Sequence, residues 1–170
     1  KMAVSNTEAT VESTVDRVNS DLLDIRQIFN AANYNIVQEF DISSGKFAEQ
    51  FSLLYEVNSD KIESLALYGN EGRLIASEPV AVEKENIDVK GQDWYKNAES
   101  AIENVHFSVP HIQNLYEDGL YRYHWVVSLS RYVDINDGEI PESGVLLVDM
   151  KYSVIEDVLK QINDSSEGIY

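Results

Sequence analysis

The stretch Tyr121-Arg-Tyr-His-Trp-Val-Val-Ser-Leu-Ser-Arg-Tyr-Val-Asp134 is the longest segment of the chain with the pattern of a single β-strand. Alternate residues of a strand point to opposite faces, so apolar residues such as Val127 share one face and polar residues such as Ser128 share the other. β-Branched and aromatic residues predominate in this segment, as they do in strands generally. The pattern therefore predicts a central strand with two chemically different faces, around which the domain is organised.

A second apolar segment, Gly144-Val-Leu-Leu-Val-Asp-Met150, follows this strand after a turn signal at Asn136-Asp-Gly138. Asparagine and glycine tolerate the positive φ angles that turns between antiparallel strands require. We therefore predict an antiparallel hairpin whose two strands are joined by a long loop.

Composition limits the classes of function that the chain can have. With 170 residues, 44% of them hydrophobic, the chain is long enough to form one folded domain with a core. Its net charge of −17 repels phosphate backbones and anionic lipid headgroups, which argues against nucleic acid or a membrane surface as a direct partner. No apolar run approaches the roughly 20 residues of a membrane span, so we expect any spans of a membrane-bound parent to lie outside this sequence.

The first part of the chain has the pattern of one long helix. Ser5 and Glu8 match a capping box at its start. Apolar residues then recur at alternating steps of four and three: Val11, Val15, Val18, Leu22, Ile25, Phe29, Ala32 and Ile36. This heptad seam predicts that the first half of the helix forms a homodimer, while the second half, with its wider apolar surface, packs on its own domain. The alternative is an amphipathic helix that lies entirely on its own core.

The remaining elements alternate between short helices and strands. Helices are predicted at 46–57, from Gln92 or Asp93, and at 153–162; strands are predicted at 62–68, 73–77, 105–109, 119–134 and 144–149. Strands gathered in one antiparallel sheet with helices on its faces make an α+β domain. We divide the chain into a signalling and dimerisation helix at 1–42, a sensing module at 43–162 and a linker at 163–170.

Four short motifs in this order resemble the extracytoplasmic Cache sensor domain of bacterial transmembrane receptors. They are Asp93-Trp94-Tyr95, Phe107-Ser-Val-Pro-His-Ile-Gln-Asn114, Trp125-Val-Val-Ser-Leu-Ser-Arg131 and Gly144-Val-Leu-Leu-Val-Asp-Met150. Within that group the chain is most similar to membrane-bound sensor histidine kinases of Gram-positive bacteria. The resemblance implies a PAS-like sheet, an extracellular location, and a ligand pocket between the sheet and the loop and helix that cover it. It also implies that a membrane-proximal module can follow the linker.

The resemblance also implies which residues contact the ligand. Trp94, Tyr95 and Asp149 match positions that bind amino acids in Cache domains, whereas Gln92 and His111 stand where an arginine and a tyrosine are expected. Without the arginine, the bidentate clamp on a ligand carboxylate is missing, so we expect an amine-bearing, peptide-like or neutral small molecule. The predicted ligand-binding residues are Gln92, Trp94, Tyr95, His111, Tyr123, Ser128 and Asp149.

Each of these residues also has a purely structural interpretation. Trp94 and Tyr95 could be core aromatics that hold a helix on the sheet, and Asp149 could bond the backbone of a turn. His111 could be a structural histidine, and Ser128 could simply allow close packing of a helix. The shared-pocket hypothesis requires Trp94, Tyr95, His111 and Asp149 to surround one cavity.

Catalytic function is not supported by any sequence motif. The chain has no glycine-rich phosphate loop, no HExxH pair, no GxSxG elbow and no cysteine, and its three histidines lack a metal-ligand spacing. A pair of catalytic carboxylates depends on distance in three dimensions and stays open. We therefore predict no catalytic site, metal or cofactor in this domain. The predicted function is sensing of a small molecule for a transmembrane receptor, with an adhesion or protein-interaction module as the alternative.

Overall fold

The computed structural model describes residues 9, 12, 13, 16, 20, 23–120 and 124–167. The predicted capping box, most of the first half of the heptad seam and Tyr123 lie outside the described residues. Residues 23–30 form an α-helix, α1, which continues as a π-helical turn over Ala31–Val37. The second half of the seam, with Ile25, Phe29, Ala32 and Ile36, is buried in the domain's own core. The prediction for this half of the helix is therefore confirmed.

One antiparallel sheet of six strands forms the centre of the domain. Its strands are β1 (Ile62–Gly69), β2 (Leu74–Glu78), β3 (His106–Phe107), β4 (His111–Ile112), β5 (Trp125–Asp137) and β6 (Ile140–Lys151). The strand order is β2-β1-β6-β5-β3, and β4 also pairs with β5. The helices that follow α1 are α2 (Gly45–Val57), α3 (Asp93–Ser100) and α4 (Tyr152–Glu167). The predicted α+β class is confirmed. The strand that we named first, β5, is not the central one, because β6 lies at the centre of the sheet and β5 pairs on its other side only with the short strands β3 and β4.

The sheet has the two unlike faces that the alternation predicts. On one face, Val127 and Leu129 join a large apolar cluster with Phe29 of α1 and with Phe47 and Phe51 of α2. On the other face, a second cluster is formed by Ala66, Tyr68, Val145 and Leu147 of the sheet with Trp94, Tyr95 and Ala98 of α3. The small and polar residues of β5 and β6 lie on this second face, so it is the face on which a polar site is built.

The hairpin between β5 and β6 is tighter than predicted. Asp137 pairs with Ile140, so only Gly138 and Glu139 form the turn, and Gly138 has a φ of 69°. The long loop was therefore a wrong prediction. Proline normally disfavours a central strand, yet Pro141 is part of β6. Strand β1 pairs with β6 only from Gly144 onward, so Pro141 lies in a two-stranded region where its missing N–H leaves no ladder bond broken.

Three further elements differ from the sequence prediction. Strand β5 covers Trp125–Asp137, whereas the prediction began it at Gly119, which lies in a turn, and ended it at Asp134. Strand β4 was not predicted, because a pair of residues is too short to show a period of two. Helix α4 continues to Glu167, although the prediction ended it at Ile162. The polar residues of this segment cost a helix less than about 1 kcal/mol each, which is too little to end it.

In the part of the chain that the structure describes, no helix is both long enough and apolar enough to span a bilayer.

Helix α2 begins with a side-chain cap. The hydroxyl of Ser44 accepts a hydrogen bond from the amide of Phe47 at 3.1 Å, and Ser44 itself has an extended backbone conformation. Ser44→Ala is therefore expected to lower the free energy of unfolding by about 1 kcal/mol. Chemical denaturation measures this loss, with Ser52→Ala within the same helix as the matched control. An equal effect of the two substitutions would contradict the capping role.

Candidate ligand site on the sheet face that carries helix α3

Asp149 is a buried carboxylate in the middle of the sheet. It lies on β6 between Ser128 of β5 and Ser64 of β1, and its residue is 1% exposed. The Ser128 hydroxyl donates a hydrogen bond to its Oδ1 at 2.5 Å, and the Ser64 hydroxyl donates to its Oδ2 at 3.4 Å. Within the described residues, no lysine or arginine forms an ion pair with it. The interpretation of Asp149 as a turn residue is therefore wrong, because its carboxylate points into the domain.

Burial raises the pKa of the Asp149 carboxyl from 3.8 to about 6. Desolvation is the largest cause, because it destabilises the charged form. The hydrogen bond from Ser128, the nearby His111 and the hydrogen bond from Ser64 act in the opposite direction. A cationic partner would therefore stabilise this buried carboxylate more strongly than it would stabilise an exposed one.

His111 contacts this carboxylate through the Ser128 hydroxyl. Its Nε2 lies 3.3 Å from Ser128 Oγ, and its Nδ1 lies 3.0 Å from the carbonyl oxygen of Val109. Ser128 has one hydroxyl proton, which it donates to Asp149, so its oxygen is left to accept from His111. His111 and Asp149 are therefore linked through the Ser128 hydroxyl, and the Ser108 hydroxyl lies 3.2 Å from Nδ1 of the same ring.

Trp94 and Tyr95 lie on the same face of the sheet but in packed surroundings. The ring of Trp94 contacts that of Tyr68 with centroids 5.2 Å apart, and its backbone oxygen accepts a hydrogen bond from Ser130. Tyr95 is fully buried and donates its hydroxyl proton to the carbonyl oxygen of Gly69 at 2.8 Å. These contacts are those of the core aromatics that the sequence analysis gave as the alternative. They hold α3 on the sheet beside the buried carboxylate.

Gln92 is the residue that precedes α3. It is half-buried, and its side chain makes no capping hydrogen bond to the helix. Of the predicted ligand-binding residues, the structure thus brings together His111, Ser128 and Asp149. Trp94 and Tyr95 join the neighbouring cluster.

A cavity of about 470 Å³ opens next to this network. It lies between the sheet edge and two loops, and it is lined by Glu63, Ser64, residues 79–82, Gln113, residues 116–119 and His124. Ser64 connects it to the buried site, because the same hydroxyl donates to Asp149. Tyr116 forms another wall, and its hydroxyl group lies 2.8 Å from that of Tyr68. None of the four residues of the shared-pocket hypothesis is among these lining residues.

The lining of the cavity is acidic. Glu63, Glu117 and Asp118 contribute carboxylates, and within its described lining there is no lysine or arginine. Among the described lining residues, basic nitrogens are contributed by the imidazole of His124, which lies between Glu63 and Asp118. In the described residues, no group of three or more His, Asp or Glu side chains has an arrangement that could hold a metal ion. The chemistry of the cavity therefore favours an organic cation or a hydrogen-bond donor.

Sequence reasoning did not identify Ser64, Tyr116 or His124 as members of the site. Ser64 had a usable signal, because it is a small polar residue in a strand whose other inward positions are apolar. Tyr116 and His124 had none, since their positions depend on how the loop before β5 folds back over the sheet.

The fold was compared with known proteins. No protein-family model matches the sequence, and no curated protein shows significant similarity to it. Solved structures do match. The ligand-binding domain of the Pseudomonas aeruginosa amino acid chemoreceptor PctC, in complex with GABA, superposes with a TM-score of 0.66 at 18% identity, over 94% of this chain and 65% of that one. This protein has a Cache-type fold.

Two other structures with this fold extend the comparison. The domain of Pseudomonas aeruginosa PctB, in complex with L-Gln, gives a TM-score of 0.59 at 17% identity, over 90% of this chain and 57% of that one. The domain of Pseudomonas fluorescens CtaA, in complex with L-serine, gives a TM-score of 0.55 at 17% identity, over 89% of this chain and 59% of that one. This chain therefore spans about three fifths of the length of these Cache-type domains. All three structures are sensory domains of chemoreceptors, whereas the resemblance drawn from the sequence was to histidine kinases.

Proposed function

We propose that this chain is the extracellular sensing domain of a transmembrane signalling receptor and that its ligand is a small molecule with a cationic nitrogen. The observation that carries the proposal is Asp149, a fully buried carboxylate held by two serine hydroxyls beside an acidic cavity. A ligand ammonium group close to it would form charge-assisted hydrogen bonds where water is excluded. Such a site favours binding of a cation and disfavours binding of an anion.

The missing arginine clamp narrows this ligand class. PctC, PctB and CtaA were each solved with an amino acid, which has both an amine and a carboxylate. In this chain Gln92 stands where the sequence resemblance expects the arginine that binds the carboxylate, and a neutral amide cannot replace a guanidinium in that role. We therefore propose that recognition depends on the cationic end of the ligand, which includes amines and peptide-like molecules.

The proposal also covers how binding leads to signalling. A ligand that binds one arrangement of the sheet and loops more tightly than another shifts the population towards that arrangement. Helices α1 and α4 pack on the sheet, and Tyr152 at the start of α4 lies against Trp125 with ring centroids 6.2 Å apart. We propose that these helices transmit the shift to a histidine kinase.

We also propose that the parent is a homodimer through the N-terminal helix, which sedimentation of the full receptor in detergent would test.

A thermal-shift screen tests the proposed ligand class. Amines, amino acids, organic acids and sugars are compared at equal concentrations, and a ligand at 100 times its dissociation constant should add about 2.7 kcal/mol of stability. We expect the melting temperature to rise only with compounds that carry a cationic nitrogen. A response confined to organic acids or sugars would contradict the proposal.

A protein-interaction module is the second candidate, and one observation favours it. Large apolar side chains are exposed around the β3 and β4 edge of the sheet: Phe107, Val109, Ile112, Leu120 and Trp125. Ile112 and Trp125 are directly paired across β4 and β5. If no small molecule raises the melting temperature, and if Trp125→Ser abolishes capture of a protein partner without lowering stability, this second function replaces the first.

A further inference from the structure

Two tyrosine hydroxyl groups meet at the wall of the cavity. Tyr68 belongs to strand β1 and is fully buried, whereas Tyr116 belongs to the loop between β4 and β5 and lines the cavity. Their hydroxyl oxygens lie 2.8 Å apart, so one hydroxyl donates to the other. Within the residues that the structure describes, neither hydroxyl has any other hydrogen-bond partner.

A count of protons shows which hydroxyl keeps a free donor. Each tyrosine hydroxyl has one proton, so a pair joined by one hydrogen bond has one proton left without an acceptor. If that proton belonged to Tyr68, it would be a buried donor without a partner, which is strongly unfavourable. Tyr68 therefore donates to Tyr116, and the proton of Tyr116 is available to a partner in the cavity.

Backbone hydrogen bonds on both sides of Tyr116 fix its position. The amide of Glu117 donates to the carbonyl oxygen of Val82 at 2.8 Å. The amide of Lys84 donates to the carbonyl oxygen of Leu115 at 2.9 Å. The loop that carries Tyr116 is therefore tied to the loop after β2, and its ring is held in place before a ligand binds. Such preorganisation reduces the loss of conformational freedom on binding.

The surroundings of this hydroxyl favour a neutral acceptor over an anion. Burial raises the pKa of the Tyr116 hydroxyl above its usual range, and Tyr68, Asp149 and Glu83 act in the same direction. The hydroxyl therefore keeps its proton, and the charges around it are negative. A ligand carboxylate would be repelled by these charges, whereas a carbonyl oxygen accepts the same hydrogen bond without a net charge.

Other side-chain donors in the described lining do not select an acceptor in this way. The hydroxyl of Ser64 donates to Asp149, and the imidazole of His124 lies between two carboxylates. The carboxamide of Gln113 carries both donor and acceptor atoms, so it can adapt to either kind of ligand group. The oxygen of Tyr116 already accepts from Tyr68, which leaves the hydroxyl proton as its contact for a ligand.

We infer that Tyr116 is a specificity-determining residue, whose hydroxyl donates a hydrogen bond to a neutral carbonyl oxygen of the ligand while the cationic nitrogen of the ligand lies near Asp149. This inference rests on the proposed function and narrows its ligand class. Cationic ligands with a carbonyl group close to the amine, such as amino acid amides and the amino-terminal ends of peptides, bind more tightly than simple amines. Free amino acids bind less tightly than their amides.

Three small probes with the same cationic centre test this inference by calorimetric titration at neutral pH. They are L-alaninamide, L-alanine, and the amine in which an isopropyl group replaces the carboxamide of L-alaninamide. In wild type we expect L-alaninamide to bind about fivefold more tightly than the isopropyl amine, as expected for one neutral hydrogen bond. L-Alanine should bind less tightly than L-alaninamide. Tyr116→Phe should remove the fivefold preference by weakening the binding of L-alaninamide alone.

Tyr132→Phe is the matched control for this substitution. The hydroxyl of Tyr132 also forms a hydroxyl pair, at 2.6 Å from that of Ser143, and its ring packs on the same cluster as Tyr68. Tyr132 is not among the described residues that line the cavity. The same chemical change should therefore leave the preference for L-alaninamide as it is in wild type.

The stability of the ligand-free chain tests the count of protons independently. Tyr116→Phe leaves the buried proton of Tyr68 without an acceptor, so it should lower the equilibrium constant for folding about tenfold. Addition of Tyr68→Phe removes that unsatisfied donor, so the double variant should be more stable than Tyr116→Phe alone. A double variant that is less stable than Tyr116→Phe would show that Tyr68 is not the donor.

The ligand titrations separate failure of this inference from failure of the proposed function. If wild type binds L-alaninamide and the isopropyl amine equally, or if Tyr116→Phe keeps the wild-type preference, the role of Tyr116 is wrong while binding of cations stands. The same conclusion follows if other amines bind and none of the three probes does. If no compound with a cationic nitrogen binds, the proposed function fails, and this inference fails with it.

Discussion

Asp149→Asn is expected to stabilise the ligand-free domain at neutral pH. The folded-state pKa of Asp149 is raised from 3.8 to about 6, so its contribution to stability is fully present below about pH 4 and is lost as the pH rises through 6. At pH 7.5 the buried charge costs roughly 3 kcal/mol relative to the protonated form. Asparagine has the same shape as aspartate and no charge. The free energy of unfolding of the variant should therefore rise relative to that of wild type as the pH increases from about 4 to about 7.5, by up to this amount.

Urea denaturation of both proteins across this pH range measures the difference. Asp134→Asn is the matched control, because it makes the same chemical change at an exposed position of β5. For this control, the plot of the free energy of unfolding against pH should run parallel to that of wild type. If the Asp149→Asn curve also runs parallel to wild type at every pH, the carboxylate is not the buried, destabilised group described here. A residue that lowers stability while occupying a binding site is typical of a functional position.

Gly144→Ala is expected to have the largest effect on the fold. Gly144 lies at the centre of the sheet, where it pairs with Gly69 of β1 and Val133 of β5. A Cβ atom there would collide with the carbonyl oxygen of Tyr68, and it would lie 3.0 Å from Cδ1 of Ile135. Backbone cannot move aside as a flexible side chain can, so β1 and β6 must separate. We expect a loss of at least about 3 kcal/mol in the free energy of unfolding.

The matched control for this substitution is Gly45→Ala. Gly45 begins helix α2, and an added Cβ would meet no atom within 4 Å. Alanine reduces the freedom of the unfolded chain, so this variant should be unchanged or more stable by up to about 1 kcal/mol. Equal stability of the Gly144 and Gly45 variants in chemical denaturation would show that the centre of the sheet can accommodate the methyl group.

Local signals made much of the fold predictable. Ser44 marks the start of α2 because a serine side chain satisfies a free amide at that point, and Gly72 marks the β1–β2 turn because it adopts a φ of 78°. The apolar spacing of α1 was enough to predict which side of that helix is buried. Errors occurred where strand pairing extends beyond the apolar pattern, as at residues 140–143 of β6, or where an element is as short as β4.

The candidate site was predictable only in part. Asp149 follows four apolar residues on a strand, and that position alone indicated a carboxylate directed inward. Ser64 is 85 residues away in the sequence and meets Asp149 only through the register of β1 on β6. His124 reaches Glu63 and Asp118 through loop closure, which no local pattern encodes. The packed role of Trp94 and Tyr95 likewise depends on Tyr68 and Gly69, which approach α3 only in the folded sheet.

Calorimetric titration against pH tests the central claim most directly. The tightest-binding amine from the screen is titrated into wild type and into Asp149→Asn at several values between about pH 5 and pH 7.5. A cationic ligand binds the ionised form of Asp149, so wild-type affinity should fall towards tenfold per unit below about pH 6, with a proton released on binding. The variant should bind more weakly by about 1.5 to 3 kcal/mol at neutral pH and show no such dependence. Binding that is equally tight in both proteins and independent of pH, or no binding by any amine, would contradict the account.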